Sequence, residues 1–356
     1  MWFRRAKPLT GIDIGSHAIK VVRFNLAGDS YQLLNLAMLP MPPDAVADGV
    51  IGDLPAVQGL LRRLTGFERI ADKDVAMALS GHSVIVKKVQ MVRMSEEELA
   101  NAMPYEAEQH IPFDAYDVNT DFQILDAPGA STSQSGHMEV LLAAAKKGRV
   151  DELSLVARGA DLNPAVIDVD MLALINGFEL NYPEDSQGHV ISLVHLGASM
   201  MTVLILKDGL STFQRDIAVG GNQYTAALQK ALGLSREDAE AVKLGAQPWH
   251  QVHMDVLTAL RMVTEEVVSE IQRSFEFYLA SAGDEPIEKV YLSGGSSRIK
   301  GLSQVLAARL KLPVEPLNPF RLVEIPEKLF DVDYVHHVGP MAAVAVGLAL
   351  RQKGDR

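Results

Sequence analysis

The stretch Thr10-Gly11-Ile12-Asp13-Ile14-Gly15-Ser16-His17-Ala18-Ile19-Lys20-Val21-Val22 constrains this chain more than any other. Apolar residues alternate around Asp13, Gly15-Ser16 permit a tight turn, and Ile19 to Phe24 resumes the extended pattern, so the spacing predicts a β-hairpin. The backbone N–H groups of such a turn can converge on one point and cradle a phosphate. Asp13 stands just before the turn and Lys20 just after it. The lysine can neutralise phosphate charge, and the carboxylate can hold a hydrated magnesium ion, which keeps most of its waters. Taken alone, the stretch reads equally as an ordinary hairpin with Asp13 and Lys20 on its rim.

The layout recurs. Val190 to Leu196 predicts a strand, Gly197-Ala198-Ser199 a turn, Met200 to Leu206 a second strand and Leu210 to Asp216 a third. Leu196-Gly197-Ala198 then corresponds to Ile14-Gly15-Ser16, which puts His195 where Asp13 stands. Two copies of one hairpin-led unit imply two similar lobes, and 356 residues are too many for a single ordinary core. A third glycine turn, Ser293-Gly294-Gly295-Ser296, follows the strand Val290 to Leu292 and precedes a helix from Leu302 to Leu310. Strand, glycine pair and helix in that order bring backbone close to a ligand.

Composition removes several function classes. A formal net charge of −12 argues against a nucleic-acid-binding surface, which needs clustered Lys and Arg. With no cysteine there is neither disulfide nor thiolate metal site, and a reducing compartment suits the chain. Met1 to Pro8 is basic but lacks the apolar core of a signal peptide, and it reads as a short solvated arm. The apolar run Val190 to Leu206 is interrupted by His195, Gly197 and Ser199, so two buried strands explain it better than a membrane span. His336-His337 is an adjacent pair in an extended segment with no third ligand at helical spacing, and it reads as a surface pair.

Between the repeats the texture changes. Val84 to Val92 alternates as a strand, Ser95-Glu96-Glu97-Glu98 opens a helix with a capping-box pattern, and Asp121 to Leu125 and Met138 to Ala145 are further strands. Ala127 to Gly136, rich in Ser, Thr and Gly, reads as an exposed, mobile loop. Residues 83–163 are therefore expected to form an inserted subdomain with its own small sheet. Ser235 to Ala282 reads as helical, and Gly339 to Leu350 as a small-residue helix that lets a neighbour pack closely.

Three glycine turns in this order resemble the actin-like ATPase superfamily. Within it the chain resembles the PilM family of type IV pilus assembly proteins, through Gly11-Ile12-Asp13-Ile14-Gly15, Tyr105-Glu106-Ala107-Glu108-Gln109-His110-Ile111-Pro112-Phe113, Ala143-Ala144-Ala145-Lys146-Lys147, Ile167-Asp168-Val169-Asp170 and Glu270-Ile271-Gln272-Arg273-Ser274-Phe275-Glu276-Phe277-Tyr278. The resemblance implies an α/β, two-lobed fold with duplicated ribonuclease-H-like cores and an inserted 1C subdomain of SHS2 type. The expected divisions are a first lobe of 9–82, 164–188 and 336–356, the insert 83–163, a second lobe of 189–225 and 287–335, and a helical subdomain 226–286. It also implies ATP with Mg between the lobes, and a groove between the first lobe and the insert for the N-terminal cytoplasmic tail of PilN, an inner-membrane protein. Through that tail the protein would join the PilN–PilO complex and the pilus motor, in the cytoplasm and at the membrane only through its partner. Self-association is left open.

By the same resemblance Gly15, Ser16 and Lys20 grip the phosphates from one side, and Gly197, Ala198 and Ser199 from the other. Gly294, Gly295 and Ser296 lie near the adenosine, and Asp13 holds Mg through water. Glu266, Glu270 and Arg273 are candidates beside the base or ribose, although a charged stripe at helical spacing also reads as a solvated face. Active members carry a second acid at the start of the second hairpin, where this chain has the uncharged His195. Asp170 begins a helix where the superfamily keeps a residue that orients the attacking water, and equally reads as a helix-start carboxylate. Slow or negligible ATP turnover is the expectation. The rival readings are an FtsA-like filament-forming cell-division protein, against which the missing C-terminal amphipathic helix counts, and a sugar-kinase-like phosphotransferase, for which no substrate Asp motif is evident.

Overall fold

The computed structural model describes residues 7–70, 72–125, 136–245, 253–282 and 285–355. Residues 1–6 of the basic arm and 127–135 of the expected loop lie outside the described residues. Strands β1 (Thr10–Ile14), β2 (Ala18–Ala27) and β3 (Ser30–Pro40) form an antiparallel meander. The short ladder of β4 (Val46–Ala47) with β5 (Val50–Ile51) leads into α1 (Leu54–Phe67), whose first turn is capped by the Asp53 side chain. Then β6 (Asp74–Leu79) runs parallel beside β1.

The insert follows. Strand β7 (Val84–Val92), helix α2 (Glu96–His110), β8 (Val118–Ile124) and β9 (His137–Lys146) make a three-stranded antiparallel sheet in the order β7-β9-β8, with its own core. The Ser95–Glu98 capping box opens α2 as the sequence predicts. Helix α3 (Lys147–Gly159), which the sequence places in the insert, instead packs its Leu153, Val156 and Ala157 into the first-lobe core with Val57, Leu61 and Leu64 of α1. Strand β10 (Asn163–Val169) and α4 (Asp170–Asn181) return to the first sheet, whose order is β10-β6-β1-β2-β3.

The second sheet repeats the first. Strands β11 (Val190–Leu196), β12 (Met201–Lys207) and β13 (Leu210–Ile217) form the meander. Helices α5 (Gly221–Leu232), α6 (Arg236–Lys243) and α7 (His253–Ala282) follow, then β14 (Lys289–Ser293), α8 (Leu302–Leu310) and β15 (Val314–Pro316). The sheet order is β13-β12-β11-β14-β15, with β14 and β15 parallel to β11 just as β6 and β10 are parallel to β1. The hairpins match in register too: Ile14 faces Ile19 and Leu196 faces Met201. The Gly15 N–H donates to Ala18 O, and the Gly197 N–H donates to Met200 O. The duplication inferred from weak sequence likeness is thus a duplication of hydrogen-bond pattern.

Two details join the lobes. Helix α4 buries Phe178 and the neighbouring Tyr182 against Leu193, Leu204 and Tyr291 of the second sheet, with the Phe178 and Tyr182 rings stacked at 5.3 Å. The chain then returns, and Phe320 and Val323 enter the first-lobe core beside Phe24 and Leu33, so the return to the first lobe comes earlier than the division at residue 336. Helix α9 (Val332–Val338) carries His336 and His337, which the sequence reading made extended; a 3-10 turn, Gly339–Ala342, leads into α10 (Ala343–Ala349).

The small-residue face of α10 lies against both β1 and α4. A Cβ on Gly347 would stand 1.6 Å from Ala173 O, and one on Gly11 2.3 Å from Ala345 O. Both clashes are with backbone, which cannot swing aside. Gly347→Ala is therefore expected to cost about 3 kcal/mol or more of folding stability, read as a lowered urea midpoint at unchanged slope. Among the described residues no helix is long and apolar enough to cross a membrane.

Candidate nucleotide cleft and peptide groove

The three glycine turns meet at one cleft of about 150 Å³. Asp13, Gly15, Ser16 and Lys20 line it from the first hairpin, and Gly197, Ala198 and Ser199 from the second. The turns touch: Ser16 Oγ and Ser199 Oγ are hydrogen-bonded at 2.9 Å. Lys20 Nζ donates to Asp13 Oδ2 at 2.8 Å, and both side chains are nearly buried. A side chain on Gly15 would run into that ammonium, and one on Gly197 into Met200 O, so glycine keeps both turns open to a ligand's approach.

The third turn contributes Gly295 and Ser296 to the wall, and Ser296 Oγ donates to Gly197 O at 3.0 Å. Gly294 does not line the cleft. Its φ of 87° and the Leu196 carbonyl, 2.3 Å from where its Cβ would be, make it the residue that lets the third turn lie against the second. Asp170 lines the floor, at the first residue of α4. Burial, and then the nearby Asp13 and Asp216 carboxylates, push its carboxyl well above the usual carboxylate range.

Glu266, Glu270 and Arg273, expected beside the base, are not among the residues that line the cleft. Glu270 is held by Arg215 at 2.8 Å and by Arg273 at 2.9 Å, on the part of α7 that covers β13. The charged groups that do face the cleft from the helical subdomain are Glu240 and Lys243 of α6. Lys243 Nζ donates to Glu240 at 2.7 Å, to Thr225 Oγ1 at 3.1 Å and to Gly221 O at 3.3 Å. Burial opposes both charges, yet Lys243 holds the Glu240 carboxyl below its usual range, while burial draws the lysine below its own. In sequence this pair is indistinguishable from a surface i,i+3 pair.

Arg298 also lines the cleft and was missed, although it closes the third glycine turn and so could have been picked out. Its guanidinium is held by Met341 Sδ at 3.0 Å and His337 Nε2 at 2.5 Å, and among the described residues it meets no carboxylate and its buried Nε has no hydrogen-bond partner. His337 thus serves the cleft wall, and among the described residues no three His, Asp or Glu are grouped to hold a metal ion.

His195 faces the cleft with Nδ1 3.0 Å from Ser293 Oγ, and burial pushes its pKa down to about 4. In an unfolded chain a histidine titrates near 6.5. Between those values the unfolded state binds more protons, so this contribution is full above pH 6.5 and is lost as pH falls toward 4. Urea unfolding at pH 7 and pH 5 is expected to show His195→Gln losing less stability than the wild type; equal losses would contradict this assignment.

A second concavity, about 340 Å³, separates the insert from the first lobe. Asp121 and Gln123 of β8 and Leu141 and Ala143 of β9 form one wall, and β10, α4 and Arg351 the other. Both β8 and β10 are outermost strands of their sheets. Asp168 Oδ1 accepts from the Val169 N–H; among the described residues its buried Oδ2 has no hydrogen-bond partner but lies 3.5 Å from Arg351 Nη1, and Arg351 Nε lies 3.8 Å from Asp355 Oδ2.

Two repeated sheets whose hairpins close on one cleft define the actin-like ATPase fold. The solved structures agree: the chain aligns over 98% of its length with an ethanolamine utilization protein EutJ from Carboxydothermus hydrogenoformans at 16% identity and TM-score 0.57, covering 93% of it. It aligns over 96% with MreB5 of Spiroplasma citri bound to AMPPNP at 12% identity and TM-score 0.51, covering 95% of that chain. The sequence pattern of the type IV pilus assembly protein PilM family matches residues 11–353, and the chain belongs to that family. A structure described as a PilM-PilN type IV pilus biogenesis complex is similar to it at 30% identity and TM-score 0.85, covering 98% of this chain and 99% of that one.

Proposed function

We propose that the protein is an ATP-binding adaptor of type IV pilus assembly, which holds the N-terminal cytoplasmic tail of PilN in the groove beside β10. The observation that carries this reading is the groove itself. An extended segment binds best where it can add to a free strand edge, and here two such edges flank one channel. The Asp168–Arg351 ion pair, at 3.5 Å, sets charge into the wall that a bound segment would meet. The relative solved as a PilM-PilN complex supports PilN as the source of that segment. Through the tail the protein would sit at the inner membrane without touching it and connect the PilN–PilO complex to the motor.

For the cleft, the supporting features are two glycine turns that accept close approach, Lys20 and Arg298 as cations, and serines on both turns. Asp13 would hold a magnesium ion through water, and the ion would keep most of its other ligands as water and phosphate, since among the described residues no three His, Asp or Glu are grouped to enclose it. Glu240 and Lys243 would meet the ribose. Burial and the neighbouring Asp13 and Asp216 carboxylates raise the Asp170 carboxyl above the usual carboxylate range, which weakens it as a fixed charge in the cleft and supports slow turnover.

Titration with a fluorescent ATP analogue tests the cleft assignment. Glu240→Ala is expected to weaken binding at least tenfold and Glu270→Gln to leave it within twofold. The reverse pattern would return the nucleoside to α7.

A further inference from the structure

We propose that residues 1–6 of this same chain are a competitor for the peptide groove, which the PilN tail must displace in order to bind. The inference rests on the reading of the groove as the peptide site. Met1-Trp2-Phe3-Arg4-Arg5-Ala6 sets the apolar Trp2 and Phe3 beside the cations Arg4 and Arg5. The groove offers a complement to each kind. Leu141, Val166 and Leu172 give it apolar wall, and Asp121, Asp168 and Asp355 set three carboxylates against the one guanidinium of Arg351.

The anchor of the arm brings the two together. The Leu9 N–H donates to Arg351 O at 2.8 Å, and Pro8 bridges Gln352 in the antiparallel sense. In such a bridge, going back along one strand leads the way the other goes forward. Going back from Pro8 therefore leads as the tail does after Gln352, toward Asp355. The tail turns at Gly354, whose φ is 91°, and Asp355 Oδ2 accepts from the Gln352 N–H at 2.7 Å. Asp355 thus stands both in the groove and at the root of the arm. Lys353 of the tail is drawn off to Asp74 at 3.0 Å and does not meet that carboxylate.

Reach and affinity both suffice. Lys7 pairs with Asp72 at 2.5 Å, just ahead of β6, and β6 is the strand between β1 and β10. Neighbouring strands lie about 4.8 Å apart, so β10 is about 10 Å to the side, and six extended residues span about 20 Å. A competitor on a short tether acts at an effective concentration of about 1 mM, so a dissociation constant of about 0.2 mM would fill the groove about five-sixths of the time. The apparent dissociation constant of a PilN peptide then rises about sixfold.

Fluorescence anisotropy tests this directly. A labelled peptide of residues 1–7 is titrated into a chain lacking residues 2–6, alone and with Ala143→Arg or Asp121→Lys. It is expected to bind, and to weaken at least tenfold in Ala143→Arg and at least threefold in Asp121→Lys. A PilN N-terminal peptide is then titrated into the full chain, the chain lacking residues 2–6, and the full chain with Arg4→Glu and Arg5→Glu together. Its affinity should rise at least fivefold in both altered chains, which retain Lys7 to Leu9 and so the anchor. The inference is overturned if the arm peptide does not bind, if Ala143→Arg leaves its binding unchanged, or if PilN affinity is the same with and without residues 2–6. It is equally overturned if removing residues 2–6 costs only binding to phosphatidylglycerol vesicles, which would make the arm a membrane contact. A PilN peptide that binds no chain, while the arm peptide binds as expected, would remove PilN from the groove and leave the arm's place in it supported.

Discussion

Lys20→Ala is expected to weaken ATP binding about a hundredfold. A charge-assisted hydrogen bond contributes about 1.5–3 kcal/mol, and every 1.4 kcal/mol is about a factor of ten. The upper end applies because the lysine does two things at once. On the proposed reading it is the cation opposite the phosphate turn, and at 2.8 Å from Asp13 Oδ2 it compensates the carboxylate that phosphates would otherwise face. Removing one partner of a nearly buried pair also destabilises the fold, by as much as about 3–5 kcal/mol when burial is complete. The double change Asp13→Asn with Lys20→Met separates the effects: it should restore stability without restoring affinity. Calorimetric titration with MgATP, beside a urea unfolding curve for each variant, reads both.

The second large effect belongs to the groove. Ala143 is a half-buried residue of β9 on the insert wall, and its small side chain leaves the channel open toward β10. Ala143→Arg fills that channel, and binding of a synthetic PilN N-terminal peptide is expected to fall at least a hundredfold. ATP affinity should stay within twofold, since Ala143 does not line the cleft. Loss of both activities together would mean that the substitution had disturbed the fold.

Much of the architecture was legible because it is written in local pattern. Strand alternation and glycine turns gave both hairpins, and the offset of His195 against Asp13 proved to be a true register match. What escaped depends on packing between distant segments. The apolar face of α3 looks the same whether it covers the insert or α1, and only the fold decides for α1. Charges along α7 and α6 look alike in sequence, yet Glu270 is absorbed by Arg215 while Glu240 and Lys243 reach the cleft. Asp216 gave no signal at all, because it comes near Asp170 only by facing Thr202 on the adjacent strand. Arg298 was within reach, since it belongs to the same turn as Gly294-Gly295.

If the proposed adaptor binds both a peptide and a nucleotide, the geometry gives a short route between the two sites. Asp168 faces the groove and Asp170 the cleft, two residues apart at the junction of β10 and α4. A ligand that distinguishes two positions of that junction changes the affinity of the other site, and by linkage the factor is the same in both directions. Calorimetry of the PilN N-terminal peptide, with and without saturating MgATP, on the wild type and on Lys20→Ala, is the most direct test. The predicted result is one peptide per chain, with an affinity that MgATP shifts in the wild type and not in Lys20→Ala. No peptide binding in either state would contradict the account.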